Sequence, residues 1–468
     1  MLPEDMDVAC SLDVAQNSRR LDALRFGFER AMELACGWLA TTPETGLKIQ
    51  LGKVLWHAAA AADLIATRLD ELQSLTPRAR SSGPLYTAFT NALLDVTDSQ
   101  ARMALLHELV LPDLRNAVRA HRKSVHSLAD SLTEWALAPI EPRLEELLAW
   151  YAARPATEGS EAARVGGEAV EKARELFRLS GGVAGPQAEE VPEPFSALAR
   201  TEVAAEVGGL VDTPARESGL RVIDPAGPGP SSFTMFVHST IFNIEISATE
   251  ICARMIIEHR DAPWKLKLDM ARQAYDEVRH AEVLLARLRE LGGTVGEFPI
   301  DLRVWRSFRA GESLAEQILL QQRIGEGGGL DGGDLVRASR LREGDARTAR
   351  IFEYINADEI NHVRNGNRWI RHLLNHDETA IAALERKAFE KLEAIGCRRP
   401  PLRPWVAGRT LAGFTESDIR GAVTSWEQFE QRRLAHRAAA MAASPAPAQK
   451  PRPDGFRPLP LGGPRKFR

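Results

Sequence analysis

Two short stretches decide how this chain reads: Tyr275-Asp276-Glu277-Val278-Arg279-His280 and Asn356-Ala357-Asp358-Glu359-Ile360-Asn361-His362. Each contains Asp-Glu-x-x-His. On a helix, residues i and i+3 lie one turn apart on the same face. Glu277 and His280 therefore point to one place, and so do Glu359 and His362. A single Glu-x-x-His is common by chance. Two copies, each preceded by Asp and each on an apolar helix, are much more specific. Met270, Ala274, Ala281, Leu284 and Leu288 share the face of the first pair. Ile351, Ile355 and Trp369 share the face of the second. Carboxylates and imidazoles on an apolar stripe are costly to bury unless they are paired or bind metal. A surface ion-pair pattern or a buried polar network without metal is the plainer alternative, and the doubling counts against it.

A metal pair held among four helices needs one more carboxylate from each of the two other helices. The turn Arg260-Asp261-Ala262-Pro263 precedes the first motif. Glu277 lies about 15 residues past its centre, so an antiparallel partner lies about as far before it, at 1.5 Å per residue. Glu245 fits, and it shares a stripe with Val237, Ile241, Ala248 and Cys252. Glu250 is held in reserve, ~6 Å off level. Around the turn near Arg342–Asp345 the same arithmetic selects Glu326, with Glu316 in reserve. The interval from 245 to 277 is 32 residues and that from 326 to 359 is 33, which makes the pattern an internal repeat. A glycine run, Gly327-Gly328-Gly329-Leu330-Asp331-Gly332-Gly333, follows Glu326 directly and predicts a break in the third helix, either a plain reversal or an opening at the ligand.

Working outward, the spacing predicts helices over 232–260, 264–291, about 311–325 and about 345–375, with more helix to about 442. Four regions result: an N-terminal helical domain (1–153), a Pro/Gly-rich linker or irregular wrapping segment (154–231), a metal-binding helical domain (232–442) and a basic, Pro-rich tail (443–468) expected to be disordered. The chain's 468 residues exceed what one core usually holds. Scarce tyrosine and few β-branched runs favour an all-α fold. Net charge is −4, which argues against a nucleic-acid binder. No apolar run approaches the ~20 residues of a membrane span. Four scattered cysteines without a CxxC pair and the absence of a signal peptide predict a reducing, cytoplasmic setting.

Asp276-Glu277-Val278-Arg279-His280 resembles the signature of ferritin-like di-iron carboxylate proteins. His238…Ile244-Glu245, Glu326 through Asp331, and Asp358-Glu359…His362-Val363…Gly366-Asn367-Arg368-Trp369 further resemble an uncharacterised bacterial ferritin-like branch. Pro400-Pro401 and Ala412-Gly413-Phe414 fit its C-terminal end, so the resemblance spans about 232–430. It implies a ferritin-like four-helix bundle, preceded here by a separate N-terminal helical domain. Four carboxylates and two imidazoles suit two iron ions, with manganese or a mixed Fe/Mn pair as alternatives. By the resemblance, Glu245, Glu277 and His280 hold one ion, Glu326, Glu359 and His362 the other, and Glu277 and Glu359 bridge. Asp276 and Asp358 orient the histidines, and Arg279 pairs with one of them. His238 is either part of this outer layer or simply core. Tyr275 and Tyr354 are candidates for a redox role, with packing as the bland alternative.

The expected activity is that of an O2-dependent non-heme di-iron oxygenase or oxidase acting on a small molecule, in a setting such as specialised metabolism. Its partners are that substrate, O2 and an electron donor, and a homodimer stays open. Metal storage, peroxide handling of the catalase type and a non-catalytic helical scaffold are the competing readings.

Overall fold

The computed structural model describes residues 12–73, 82–154, 167–185, 191–192, 195–199, 212–223 and 232–443. The described residues form an all-helical fold without a strand, and Val222 and Ile300 make an isolated bridge. No described helix is long and apolar enough to cross a membrane. Cys36, Cys252 and Cys397 are free and buried, whereas Cys10 lies outside the described residues. The disorder expected of the tail beyond residue 443 and half of the expected linker also lie outside them.

Helix α1 (Val14–Leu39) starts at a capping box, in which Asp13 accepts from the Gln16 amide at 2.6 Å and Gln16 answers at 3.1 Å. It folds back onto α2 (Thr45–Leu72). The helices α3 (Pro84–Leu94), α4 (Ser99–Leu105), α5 (Leu111–Ser124), α6 (Ser131–Leu137), α7 (Ile140–Ala152) and α8 (Glu168–Ser180) surround this pair. A π turn over Leu106–Val110 joins α4 to α5.

Four helical rods follow. The first runs through α9 (Phe233–Ser239), a π turn and α10 (Ile246–Glu258). The second is α11 (Trp264–Glu290). After α12 (Arg303–Arg309), the third runs through α13 (Leu314–Ile318), a second π turn and α14 (Gly327–Arg342). The fourth is α15 (Ala346–Leu373), and α16 (Glu378–Ala394), α17 (Val406–Leu411) and α18 (Glu416–Ala443) close the chain. Rods one and two pack together, rods three and four pack together, and α11 lies against α15.

Contrary to the expectation from its sequence, the glycine run does not break the third rod. Residues 327–333 are helical and continue to Arg342. Each glycine costs the helix ~1 kcal/mol against alanine, and tertiary contacts outweigh that cost. A Cβ on Gly333 would stand 2.0 Å from Asn356 Oδ1, so the missing side chain lets α14 lie close against α15. Asp331 accepts from the Trp405 amide at 2.8 Å and from Arg409 at 2.6 Å, which ties the run to α17.

The N-terminal helices do not stand apart from the rods. One apolar core runs from Leu21 through α2 and α10 to Leu392. Gly52 brings α2 onto α11, where a Cβ would meet Val278 Cγ1 at 2.5 Å. Residues 212–223 stitch the same seam: the Ala215 amide donates to Ala40 O at 2.8 Å, and Thr45 Oγ1 donates to Glu217 at 2.8 Å.

Candidate metal centre

Sequence periodicity and the rods together place six side chains at one point. Ser232 caps the first rod by accepting from the Met235 amide, and Ser313 caps the third by accepting from the Glu316 amide. Thirteen residues separate Ser232 from Glu245, and thirteen separate Ser313 from Glu326. Both intervals end in a π turn, Thr240–Glu245 and Leu319–Glu326, whose last residue is the carboxylate. A π turn inserts an extra residue and shifts the helix face beyond it. The fourth rod is fixed at its start by Asp345, which accepts from the Thr348 amide at 3.0 Å.

Glu245, Glu277, His280, Glu326, Glu359 and His362 are all buried. They form two overlapping groups, each able to hold a metal ion. The first is Glu245, Glu277, His280 and Glu359, the second Glu277, Glu326, Glu359 and His362, and the ligand atoms of each lie within 4.8 Å of one another. Glu277 and Glu359 belong to both. His280 Nδ1 lies 3.4 Å from Glu245 and 3.3 Å from Glu277. His362 Nδ1 lies 3.2 Å from Glu359 and 3.4 Å from Glu277. The two imidazole centroids are 6.2 Å apart.

The outer imidazole nitrogens make crossed contacts. His280 Nε2 donates to Asp358 at 3.2 Å, and His362 Nε2 donates to Asp276 at 3.3 Å. Each aspartate thus holds the histidine of the other motif. Arg279 donates to both aspartates, to Asp358 at 2.8 Å. Arg272 adds two contacts to Asp276 at 3.1 Å. These partners fix which nitrogen faces the cluster.

The buried charges of the cluster perturb one another strongly. Burial pushes the Glu245 carboxyl up, and burial with the charges of Glu359 and Glu277 pushes Glu326 well up. Burial opposes charge on the histidines too, but the contacts to Asp358, Glu245 and Glu277 hold His280 well above its ordinary value. Glu359 and Asp276 do the same for His362. Glu245 Oε2 and His280 Nδ1 are buried without a hydrogen bond. Orphaned donor atoms aimed at one another at 3.4 Å are costly in a bare protein and are the atoms a divalent ion would take up. The residues fit a metal, which would replace the protons that the cluster otherwise holds.

Other sequence candidates lie elsewhere. Glu250 pairs with Lys48 at 2.5 Å and Arg216 at 2.6 Å, and Glu316 pairs with Lys387 and Lys391. His238 accepts from the Gly296 amide at 3.1 Å and packs on Phe242 and Phe298, which makes it a core residue rather than an outer partner of the cluster. Tyr354 is 69% exposed and Tyr275 packs on Trp56 and His57, so neither touches the cluster. Sequence reasoning missed the buried amides Gln273, Gln321 and Gln322. Gln273 donates to Glu277 and Glu326 at 3.1 Å each, and Gln321 donates to Glu326 at 2.8 Å. Gln273 stands one turn before Glu277, which was the only available signal.

Residues 188–420 match a family model described as a protein of unknown function (DUF455). That description names neither a fold nor a metal. No curated protein and no solved structure matches the chain.

Proposed function

We propose that the four rods are a ferritin-like four-helix bundle holding two iron ions, with manganese or a mixed pair as the alternative filling, and that the protein is an O2-dependent oxygenase or oxidase of a small molecule. The observation that carries this reading is the pair of overlapping buried groups sharing Glu277 and Glu359. One ion would be held by Glu245, Glu277, His280 and Glu359, the other by Glu277, Glu326, Glu359 and His362, with the two shared glutamates as bridges. When bound, such a pair supplies redox chemistry toward O2 that no side chain here can supply.

The chain's own residues keep the cluster in place and dry. Asp276 and Asp358 keep Nε2 of each histidine protonated and leave Nδ1 for the ion. Arg279 ties the two aspartates together at the outer side, where it is itself partly exposed. Leu284, Ala281, Ala274 and Met270 exclude water along α11. An electron donor and a small-molecule substrate complete the reading.

The test is anaerobic loading of the metal-free protein with ferrous iron, followed by mixing with O2 in a stopped-flow spectrophotometer. About two irons per chain and a transient visible band are expected. Loading of many irons per chain would favour storage, and rapid loss of added peroxide would favour a catalase-type role. A chain that retains no iron would sink the proposal and leave a helical scaffold.

A further inference from the structure

The internal repeat is broken beside the cluster, and the break lies in the glutamines. Glu326 Oε1 accepts from Gln273 Nε2 at 3.1 Å and from Gln321 Nε2 at 2.8 Å. Gln322 Nε2 donates to Gln273 Oε1 at 3.1 Å and so fixes the rotation of that amide. All three glutamines are buried. With Oε1 occupied twice, Glu326 offers its other oxygen, Oε2, whose side of the rod is lined by Gly329 without a side chain.

Glu245 has no such support. The residue five before Glu326 is Gln321, and the residue five before Glu245 is Thr240, whose hydroxyl donates to Phe236 O at 2.9 Å. The residue four before Glu277 is Gln273, and the residue four before Glu359 is Ile355. Among the described residues no amide donates to Glu245. Its neighbours in the cluster are His280, whose Nδ1 approaches to 3.4 Å, and the Glu277 carboxylate, and its Oε2 is buried without a hydrogen bond. Turning Glu326 means breaking two hydrogen bonds from buried amides, whereas turning Glu245 breaks none from an amide.

We propose that Gln273 and Gln321 are positioning residues that lock Glu326, so that the Glu326–His362 seat takes the first ion and the Glu245–His280 seat is the exchangeable one. This rests on the two-ion reading above. The locked seat is organised before the ion arrives, and binding there loses little side-chain freedom. The other seat must order Glu245 as it fills, and its carboxylate stays free to change from one to two contacts. The exchangeable seat is also the place where an external small ligand can enter without breaking the amide lock.

The experiment is a Mn(II) titration of the full-length, chelator-stripped protein under argon, followed by electron paramagnetic resonance. The free six-line signal counts bound ions, and a coupled spectrum marks an adjacent pair. Wild type should bind in two steps at least ~10-fold apart, with the coupled spectrum appearing only in the second. Gln321→Leu should weaken the first step by ~10- to 100-fold, the usual loss for an outer partner, and leave the second nearly unchanged. Glu245→Gln should lose the second ion and the coupled spectrum but keep the first ion at wild-type affinity. Far-UV circular dichroism checks that Gln321→Leu folds, and the Glu245→Gln arm decides the matter if it does not. Two equal steps with a coupled spectrum in wild type, equal weakening of both steps by Gln321→Leu, or loss of the first ion in Glu245→Gln would overturn the lock alone. Wild type that never binds a second ion would instead overturn the two-ion reading, and the exchangeable seat with it.

Discussion

Replacing Asp276 by Asn should be felt at His362 and not at the histidine of its own motif. Asp276 accepts from His362 Nε2 at 3.3 Å, and Asp358 accepts from His280 Nε2 at 3.2 Å. A hydrogen bond to a charged group is worth ~1.5–3 kcal/mol and a neutral one ~1 kcal/mol. Asn keeps an acceptor oxygen but loses the charge, so the interaction should fall by about 1–2 kcal/mol. Arg272 and Arg279 also lose their anion, which makes the raw destabilisation a poor readout. A double-mutant cycle on urea unfolding of the metal-free protein removes those shared terms. Asp276→Asn with His362→Gln should show a coupling of about 1–2 kcal/mol, as should Asp358→Asn with His280→Gln. The same-motif pairs, Asp276 with His280 and Asp358 with His362, meet only through shared partners such as Arg279 and should show a smaller coupling than the cross-motif pairs. Larger coupling within a motif than across motifs would refute the crossed arrangement.

Glu277→Ala, which removes a residue of both groups, should abolish metal retention after loading and desalting, and His362→Ala should lose the ion of its own seat, both measured by elemental analysis; full occupancy in either would refute the ligand assignment. Gly333→Ala should destabilise the fold by ~1–3 kcal/mol through overpacking against Asn356 and be partly rescued by Asn356→Ala, whereas Gly328→Ala, with nothing within 4 Å, should stabilise by up to ~1 kcal/mol, both read from thermal unfolding. Burial depresses His107 and His121 from 6.5 to about 4, so the unfolded chain takes up protons that the folded chain refuses. Stability should therefore fall as pH drops from about 6.5 to about 4, by at most about 3 kcal/mol per histidine, and the urea midpoint of His107→Gln should lose part of that slope. Glu250→Leu leaves Lys48 and Arg216 buried without their anion and should cost ~3–5 kcal/mol in chemical unfolding.

The six clustered residues were legible because their signal is periodic. Two Glu-x-x-His turns on apolar stripes fix four of them, and equal distances from two turns fix Glu245 and Glu326. Features that depend on contacts across the fold were not legible. A 3.6-residue period cannot show a π turn, although the shared thirteen-residue interval from a capping serine to the glutamate was available in the sequence. The glycine run read as a break because propensity counts only the local cost, while Asn356, Trp405 and Arg409 lie far away in the chain. The crossing of Asp276 to His362 was invisible for a different reason: the motif places each aspartate in line with its own histidine, and only the packing of α11 on α15 pairs it with the other one.

The first 150 residues carry no motif, yet their packing gives them a part in the site. Helix α11 is held between the cluster on one face and α2 on the other, with Val278 filling the space left by Gly52. Tyr275 stacks on Trp56 with ring centroids 6.3 Å apart, and Arg279 lies over the Tyr275 ring. Arg272 lies over Trp56 itself. Both arginines reach Asp276, and Arg279 also reaches Asp358, so α2 supports the groups that orient both histidines. Lys48 from the same helix anchors Glu250, five residues past Glu245 on the first rod. A shift of α2 would therefore reach Glu245 through the first rod and both imidazoles through the arginines. This is a reason for the N-terminal helices to share one continuous core with the rods instead of hanging from a linker. A cluster of buried charges tolerates little displacement, because each lost contact leaves a polar group without a partner in an apolar surrounding.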